Sequence, residues 1–466
     1  MLATIGGQRG ELGDHTGASG RPESSLASSI GMILLTIGLI SLGCSVRGGE
    51  YSLVGIMPIL GAVPLAVSAV LVAPPEVGVR LARYLWPGTT AMCAALNLMP
   101  ALNPDNSTLG IAATVLLTAC VLLISLNPLR GWRWLVAGLG MGADLALAAA
   151  KMIWGKAGID VFWFTQGSTE QLWKGHNPYA AAYPTTTPHL LSAHFPFGPG
   201  LLLLAAPFRL IGDVRVANMA AMVVIFLAVA ALAMRHGGPA HAGRCLALAL
   251  ALPFVATMIS NDWPEVFPVA AVALWLLLRD RHRPWSVLSL GIGLAAVPTV
   301  APLLVLPWLW WRAARTEITA GAVITILLAV PFALWAGPKQ FVADTVGLQL
   351  RLAPRPDGLG LNGLLWHLHQ GWLPWWLGIA VSATFLMGAA VLAKQTWESA
   401  LTLGSTLTLI AFVTAKWAFF NYYFIVVVGF VLALAVMRTP SQEPLSGSRT
   451  IPELTPASGP LIAGPT

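Results

Sequence analysis

Residues 216–234 read Val-Ala-Asn-Met-Ala-Ala-Met-Val-Val-Ile-Phe-Leu-Ala-Val-Ala-Ala-Leu-Ala-Met, an apolar run without one charged side chain. A transmembrane helix needs about 20 predominantly apolar residues to cross the hydrocarbon core of a bilayer. Comparable runs recur along the chain, with predicted limits of 30–46, 53–73, 85–102, 109–127, 134–154, 213–234, 245–260, 264–278, 286–311, 317–336, 373–392, 399–415 and 420–437. The pattern predicts an all-α polytopic membrane protein with about 11–14 transmembrane helices.

The overall composition supports the same class. Of the 466 residues, 56% are hydrophobic and only 10% are charged, whereas soluble domains carry about 25% charged residues. This excludes a soluble enzyme, a disordered chain and a nucleic-acid-binding protein. We therefore interpret the net charge of +7 as basic cytoplasmic loops. The four cysteines lie in or beside apolar runs without paired spacing, so we predict no disulfide and no cysteine metal site.

The arginine positions set the predicted topology. With a cytoplasmic N-terminus, the first five apolar runs leave the segment after residue 154 outside the cell. The basic residues that should then lie in cytoplasmic turns are Arg80, Arg83, Arg130, Arg133, Arg235, Arg244, Arg279, Arg281, Arg283 and Arg312.

Two apolar segments must turn back within the membrane to keep those arginines on one side. Residues 198–212 form a short stretch interrupted by Pro199 and Pro207, which predicts a re-entrant or interfacial segment. Residues 286–311 are flanked by arginines and carry two central prolines, which predicts a helical hairpin. The predicted parts are a disordered cytoplasmic N-terminus (1–28), a four-helix region (29–134), a main membrane module (135–437) with outer loops at 155–197 and 338–372, and a disordered cytoplasmic tail (438–466).

The first outer loop carries the strongest candidate for a catalytic base. Residues 160–173 alternate apolar and polar side chains in a manner typical of a short amphipathic helix on a membrane surface. Asp160 would begin this helix near the outer end of the preceding span. Such a carboxylate could act as a general base with a raised pKa, or could serve as the N-cap of the helix.

Three further polar segments need an explanation. The segment 260–265 contains Asn261 and Asp262, which form either a solvated turn or a polar wall for a substrate. Arg351 and Arg355 lie in the second outer loop, where arginine is disfavoured, and indicate an anionic partner or a lipid headgroup. Lys416, at the outer end of a predicted helix, either snorkels or binds phosphate.

Other chemistry has weaker support in the sequence. The outer histidines show no HExxH spacing and there is no DxD pair, so we predict no cofactor, with a divalent metal as the alternative. Asp144 and Lys151 lie within the run 134–154, and intramembrane charges are typical of transporters.

Residues 135–437 resemble the GT-C class of membrane glycosyltransferases, most closely the polyprenyl-phosphate-mannose-dependent group, glycosyltransferase family 87. The resemblance rests on Asp160 placed shortly before Gly175-His-Asn-Pro-Tyr179, and on a proline-containing element that precedes the next apolar segment. Asn261-Asp262 is similar to an outer Asn-Gln element of that group.

The sequence also departs from that group. Phe195-Pro196-Phe197 stands where the family has Tyr-Pro-Pro, Pro298-Thr299 occupies a kink where the family has lysine, and the stretch 416–423 lacks the family's histidines. These departures affect the positions that would contact the donor phosphate.

The resemblance implies a concrete activity on the extracytoplasmic face of a bacterial plasma membrane. The partners would be a polyprenyl-phosphate sugar donor, a glycolipid or cell-envelope polysaccharide acceptor, and membrane lipids, with no nucleic acid. Mannose is the leading candidate for the donor sugar. Asp160 would be the general base, and Arg351, Arg355 and Lys416 would stabilise the leaving phosphate. The predicted sugar or acceptor contacts are Glu170, Asn177, Tyr179, His194, Asn261 and Asp262. A lipid-linked glycan transporter or flippase and a non-catalytic membrane partner remain the alternatives.

Overall fold

The computed structural model describes residues 22–46, 50–71, 77–101, 108–126, 132–154, 159–185 and 192–438. The predicted N-terminal segment and tail lie largely outside these residues, although the first helix begins at Pro22, before the predicted limit. The helices are α1 (Pro22–Ser45), α2 (Leu53–Leu71), α3 (Val77–Ala101), α4 (Thr108–Leu126), α5 (Arg133–Trp154), α6 (Asp160–Trp173), α7 (Pro199–Arg209), α8 (Arg215–Leu250), α9 (Val255–Ser260), α10 (Val266–Leu278), α11 (Arg283–Ala296), α12 (Ala301–Trp310), α13 (Arg312–Ala336), α14 (Pro338–Val342), α15 (Leu348–Arg351), α16 (Leu361–His367), α17 (Trp375–Leu392), α18 (Trp397–Thr414) and α19 (Phe420–Val436).

Short irregular elements join some of these helices. A 3-10 turn, Pro298–Val300, connects α11 to α12, and a π-helical turn, Ala343–Gly347, connects α14 to α15. Two strands of two residues each, β1 (Tyr183–Pro184) and β2 (Ser192–Ala193), pair in antiparallel register between α6 and α7.

The prediction of a mostly helical membrane protein is confirmed. Within the described ranges, α4, α5, α8, α13 and α17 are long and apolar enough to cross a bilayer, and the bent pair α11–α12 makes a sixth span if it is counted as one. The predicted 11–14 spans counted every apolar run. The length criterion gives fewer because α1, α2, α7, α10 and α19 have apolar parts of only 10–17 residues.

Helix α8 contains a sharp reversal that hides two of the predicted runs. Gly238 adopts φ 75° and ψ −173°, and Pro239 follows it. A straight α-helix of this length would extend about 54 Å at 1.5 Å per residue. Yet Arg215, at its start, donates from Nη1 to the carbonyl of Ser260, beyond its end, at 3.2 Å. The chain therefore turns back at Gly238, a conformation that glycine tolerates without the Cβ penalty.

The two segments that were predicted to turn back form a sharply bent helix pair and a short helix. Helices α11 and α12 meet at a bend of 111°. Arg283, at the start of α11, lies 3.1 Å from the carboxylate of Glu317, which is in α13 just after α12. Both ends of the pair are therefore at the same end of the bundle. Helix α7 starts at this bend, where the Gly198 amide donates to the Ala296 carbonyl at 3.1 Å, and then lies along α6, where Trp173 Nε1 donates to the Ala206 carbonyl at 2.7 Å.

The close contact between α7 and the bend depends on Gly198. A Cβ atom at this position would lie 2.0 Å from the Ala295 carbonyl oxygen, which is part of the backbone and cannot rotate away. We expect Gly198→Ala to lower the free energy of unfolding by about 1–3 kcal/mol, measured by thermal unfolding in detergent. The matched control is Gly388→Ala in α17, where a Cβ atom meets nothing within 4 Å. Equal stability of both variants would contradict this packing.

Charged side chains divide the bundle into two ends of different character. We call them the Glu317 end and the Asp160 end. Basic residues dominate the first, and they are Arg133, Arg235, Arg244, Arg279, Arg281, Arg283, Arg312, Arg315 and Lys394, against Asp280, Glu317 and Glu398. The Asp160 end carries acids and bases in more equal number. The acids include Glu50, Asp160, Asp213, Asp262, Glu265 and Asp357, and the bases include Lys174, Arg209, Arg215, Arg351, Arg355 and Lys416.

The N-terminal helices pack directly on the later ones. Helix α1 contacts α19, and α2 contacts α18. Beyond α1, the backbone amide of Tyr51 donates to the Asp357 carbonyl at 2.9 Å, and its ring stacks on His367 with centroids 4.2 Å apart. The chain before residue 134 therefore reaches the same end of the bundle as Asp160.

Candidate active site

A cavity of about 340 Å³ lies at the Asp160 end, between α6, the start of α10, the segment after α15 and the start of α19. Its polar lining residues are Glu50, Asp160, Thr185, Asn261, Glu265, Arg355 and Asp357. Its aromatic lining residues are Phe164, Phe197, Trp263, Trp417, Phe419, Phe420 and Tyr422. Carboxylates beside aromatic rings are suited to a neutral, polyhydroxylated ligand, because the rings cover its apolar face and the acids accept its hydroxyl groups.

Asp160 lies on the wall of this cavity at the first position of α6. The N-cap residue is Ile159, which makes no side-chain cap, so Asp160 does not serve as the N-cap. The Thr185 hydroxyl donates to Asp160 Oδ2 at 2.5 Å and fixes the orientation of the carboxyl group. Asp160 lies in the first turn of α6, a position where acidic side chains interact favourably with the helix dipole.

Arg355 is the cation of the cavity, and it is already paired. Its Nε and Nη2 donate to the two carboxylate oxygens of Asp357 at 2.7 and 2.5 Å, and its guanidinium lies 5.8 Å from the ring centre of Trp417. The hydrogen bond from Arg355 to Asp357 raises the pKa of the guanidinium. Burial alone would raise the pKa of the Asp357 carboxyl, but the hydrogen bond and charge of Arg355 hold it below its usual value. Arg355 therefore brings little net positive charge to the cavity.

Glu265 also lines the cavity and was not among the predicted site residues. It precedes α10, is only 3% exposed, and its Oε1 accepts a hydrogen bond from Asn421 Nδ2 at 2.9 Å. Burial raises the pKa of this carboxyl to about 7. In the sequence, an acid just before an apolar helix is an ordinary favourable charge at a helix N-terminus, so Glu265 gave no distinguishing signal. Glu50 and Asp357 were missed for a different reason, because they lie on turns far apart in sequence that only the fold brings to one cavity.

The predicted pair Asn261 and Asp262 is split by the turn that contains it. Asn261 lines the cavity. Asp262 has a positive φ of 59°, is only 1% exposed and is directed into the protein, where it lies near Thr165 and Arg215. Burial raises the pKa of the Asp262 carboxyl well above its usual value. It is placed to support the turn rather than to contact a ligand in the cavity.

Glu170 and Asn177 lie outside the cavity lining. Glu170 is paired on the surface with Lys174 at 2.7 Å and with Arg209 at 3.5 Å. Asn177 donates from Nδ2 to the Trp335 carbonyl at 3.1 Å and shapes the turn that follows α6. Both side chains are engaged in contacts that hold α6 and its neighbours together.

Tyr179 and His194 also have partners outside the cavity. Tyr179 is fully buried, and its hydroxyl donates to the Phe197 carbonyl at 3.0 Å. His194 Nδ1 lies 3.0 Å from Asp344 Oδ2, in the π-helical turn. The Phe-Pro-Phe element lines the cavity through Pro196 and Phe197, and Tyr179 of the Gly-His-Asn-Pro-Tyr element supports Phe197 from behind.

The cations Arg351 and Lys416 lie close to the cavity without lining it. Arg351 is exposed and donates to the carbonyls of Gly347 and Ala343, which closes the end of α15. Lys416 Nζ donates to the carbonyls of Leu350 and Leu352 at 3.0 and 2.8 Å. Burial lowers the pKa of the Lys416 ammonium group.

Lys416 faces a second, larger concavity. This apolar groove of about 870 Å³ runs between α12, α17 and α18, and its wall includes Pro302, Ala383, Leu407 and Ala411. We call it the lateral groove. The segments 350–357 and 415–420 separate it from the cavity, because some of their residues line the groove and others line the cavity.

Among the described residues, no group of three or more His, Cys, Asp or Glu side chains is arranged to hold a metal ion. The comparisons with known proteins give no family assignment. No family model matches the chain, and it matches neither a curated protein nor a solved structure.

Proposed function

We propose that the protein is a membrane glycosyltransferase of the GT-C type. It transfers a sugar, with mannose as the leading candidate, from a polyprenyl-phosphate donor to a glycolipid or cell-envelope polysaccharide. The observation that carries this proposal is the junction of two sites. An apolar lateral groove of about 870 Å³ and a polar cavity that contains Asp160 lie on the two sides of segments 350–357 and 415–420, and Lys416 lies on the groove side of this divide.

Each part of the donor has a matching environment. The polyprenyl tail lies in the lateral groove, and the neutral sugar enters the acidic, aromatic cavity. The phosphate lies at the dividing segments, beside Lys416 and across from Arg355. This arrangement keeps the phosphate away from the carboxylates of the cavity, which would repel it.

The transfer then needs one base and one stabilised leaving group. Asp160 accepts the proton of an acceptor hydroxyl, whose oxygen attacks the anomeric carbon while the bond from that carbon to the phosphate oxygen breaks. The departing lipid phosphate gains negative charge, which Lys416 stabilises once it exchanges its two carbonyl partners for phosphate oxygens. No general acid is required, because a phosphate leaves without protonation.

The charge distribution of the bundle supports an orientation with the cavity outside the cell. The positive-inside rule assigns the arginine-rich Glu317 end to the cytoplasm, so the Asp160 end faces the extracytoplasmic side of a bacterial plasma membrane.

The groove provides the direct test. Radiolabelled mannose should move from long-chain polyprenyl-phosphate mannose to a membrane glycolipid extract when purified protein is added. Ala383→Trp fills the lateral groove, so we expect KM for the long-chain donor to rise about tenfold while KM for a short-chain donor changes little. No label transfer by the wild-type protein from either donor would contradict the proposed function. An equal rise in KM for the long-chain and short-chain donors would contradict the placement of the polyprenyl tail in the lateral groove.

A lipid-linked glycan transporter is the second candidate, favoured by charges within the bundle. Asp144 of α5 is only 2% exposed, and Lys151, two turns away, donates to the Thr257 hydroxyl at 3.2 Å. In liposomes, a transporter would move the labelled glycolipid across the bilayer without forming a new product, and Asp144→Asn would slow that movement.

A further inference from the structure

Three polar atoms in or behind one wall of the cavity lack a hydrogen-bond partner within the described protein. They are Glu265 Oε2, Trp263 Nε1 and Asn421 Oδ1, each buried from solvent. Glu265 and Trp263 line the cavity, and Asn421 is the fully buried residue that holds Glu265 in place. Buried polar groups in folded proteins nearly always have partners, so such a cluster indicates groups reserved for a ligand.

The chemistry of these atoms defines what would satisfy them. An indole N–H can only donate a hydrogen bond, whereas a carboxyl oxygen can accept one. A hydroxyl group both donates and accepts, so neighbouring hydroxyls of a sugar ring fit the Trp263 and Glu265 pair. A phosphate does not fit, because it carries negative charge and would face a carboxyl group.

The position of this wall relates it to the donor rather than the acceptor. Asn421 lies in the first turn of α19, just after the segment 415–420 that carries Lys416 and divides the cavity from the lateral groove. Asp160 and its partner Thr185 come from a different part of the chain, α6 and the β1 region. A sugar joined to a phosphate beside Lys416 would therefore enter the cavity next to the segment that leads into Asn421 and its partner Glu265.

We propose that Glu265, positioned by Asn421, and Trp263 form a hydroxyl-recognition subsite that selects the donor sugar of this enzyme. This inference rests on the proposed glycosyltransferase function and adds the residues that determine its sugar specificity. Glu265 acts in ground-state binding of the sugar, whereas Asp160 acts on the acceptor hydroxyl.

The test combines donor analogues that each lack one hydroxyl group with a substitution of Glu265 in the protein. The probes are radiolabelled polyprenyl-phosphate mannose and forms of it that each lack one hydroxyl of the sugar ring, and binding is measured to the purified full-length protein. For the wild-type protein, we expect loss of one particular hydroxyl to weaken binding about 10- to 100-fold. For Glu265→Ala, we expect the complete donor to bind weakly and that same deoxy form to bind equally weakly.

Two additional variants keep the result interpretable. Glu265→Gln retains the size of the side chain and the Asn421 contact, so it should fold and show an intermediate discrimination. Asp280→Asn, at the Glu317 end with a 69% exposed side chain, should discriminate as the wild-type protein does.

The outcomes separate the two proposals. If the wild-type protein binds the donor but Glu265→Ala keeps the full discrimination between donor and deoxy forms, the subsite is overturned and the glycosyltransferase stands. If the wild-type protein binds the donor without distinguishing any deoxy form, the subsite is likewise overturned. If the wild-type protein binds no mannose donor at all, the proposed function itself fails.

Discussion

Asp160→Asn is expected to lower the rate of mannose transfer by about 10³-fold, because general-base catalysis contributes about 10²–10⁴-fold to such reactions. The asparagine amide has nearly the same shape as the carboxylate and its oxygen still accepts from Thr185, so α6 should keep its position. The amide cannot, however, take up the proton from the hydroxyl group of the acceptor substrate. KM for the donor should therefore stay within a few-fold of wild type while kcat falls. Initial rates with radiolabelled polyprenyl-phosphate mannose measure both parameters.

Asp280→Asn is the matched control for this experiment. It makes the same chemical change at the Glu317 end of the bundle, where Asp280 pairs with Arg235 at 3.5 Å and is largely exposed. Its transfer rate should equal that of the wild-type protein. Retention of normal kcat by Asp160→Asn would move the base to another carboxyl group of the cavity, and Glu50 would be the next to replace.

Glu317→Ala is expected to lower the free energy of unfolding by about 3 kcal/mol, since removal of one partner of a buried ion pair costs about 3–5 kcal/mol. The Glu317 side chain is 4% exposed and lies within 3.7 Å of Arg279 and 3.1 Å of Arg283. It also accepts a hydrogen bond from Trp275 Nε1 at 2.9 Å. We take the lower end of the range because Arg283 is 53% exposed and water can solvate it.

A second variant, Arg283→Gln, tests whether the loss of stability in Glu317→Ala comes from the buried ion pair or from the loss of any one charge. Arg283→Gln removes the exposed partner only, so it should cost no more than about 1 kcal/mol. Both variants are compared by thermal unfolding in the same detergent. Similar losses for the two variants, or no loss for Glu317→Ala, would show that the bent pair α11–α12 is not held by this cluster.

Most of the fold could be predicted because membrane proteins obey few, strong rules. Backbone groups in lipid must bond internally, so apolar runs read as helices, and the arginines identify one end of the bundle. The same rule required 286–311 to turn back, and the structure has a 111° bend there, while 198–212 contains only the short helix α7. The reversal at Gly238 followed from the basic residues on each side of it. The number of spans was less predictable, because length depends on tilt and kinks that composition does not encode.

The candidate site was only partly predictable. Asp160, Asn261 and Arg355 meet in one cavity although they are far apart in the chain. The remaining predicted contacts were chosen as polar residues in outer loops, and several of them hold loops together instead. Tyr179 illustrates the reason, since its fully buried ring and its hydroxyl bond to Phe197 depend on tertiary packing. Conversely, Glu265 acquires its character only from burial beside Asn421.

The contact of Tyr51 with Asp357 and His367 has a practical consequence for protein engineering. Tyr51 contacts the segment that contains Asp357 and His367, and Glu50 lines the cavity, while α1 and α2 cover faces of α19 and α18. A fragment that starts at Arg133 would therefore lose the contribution of Glu50 to the cavity and would expose the apolar faces of α18 and α19. Expression trials, split-protein reconstitution and domain-swap chimeras should keep the first helical hairpin together with the rest of the chain.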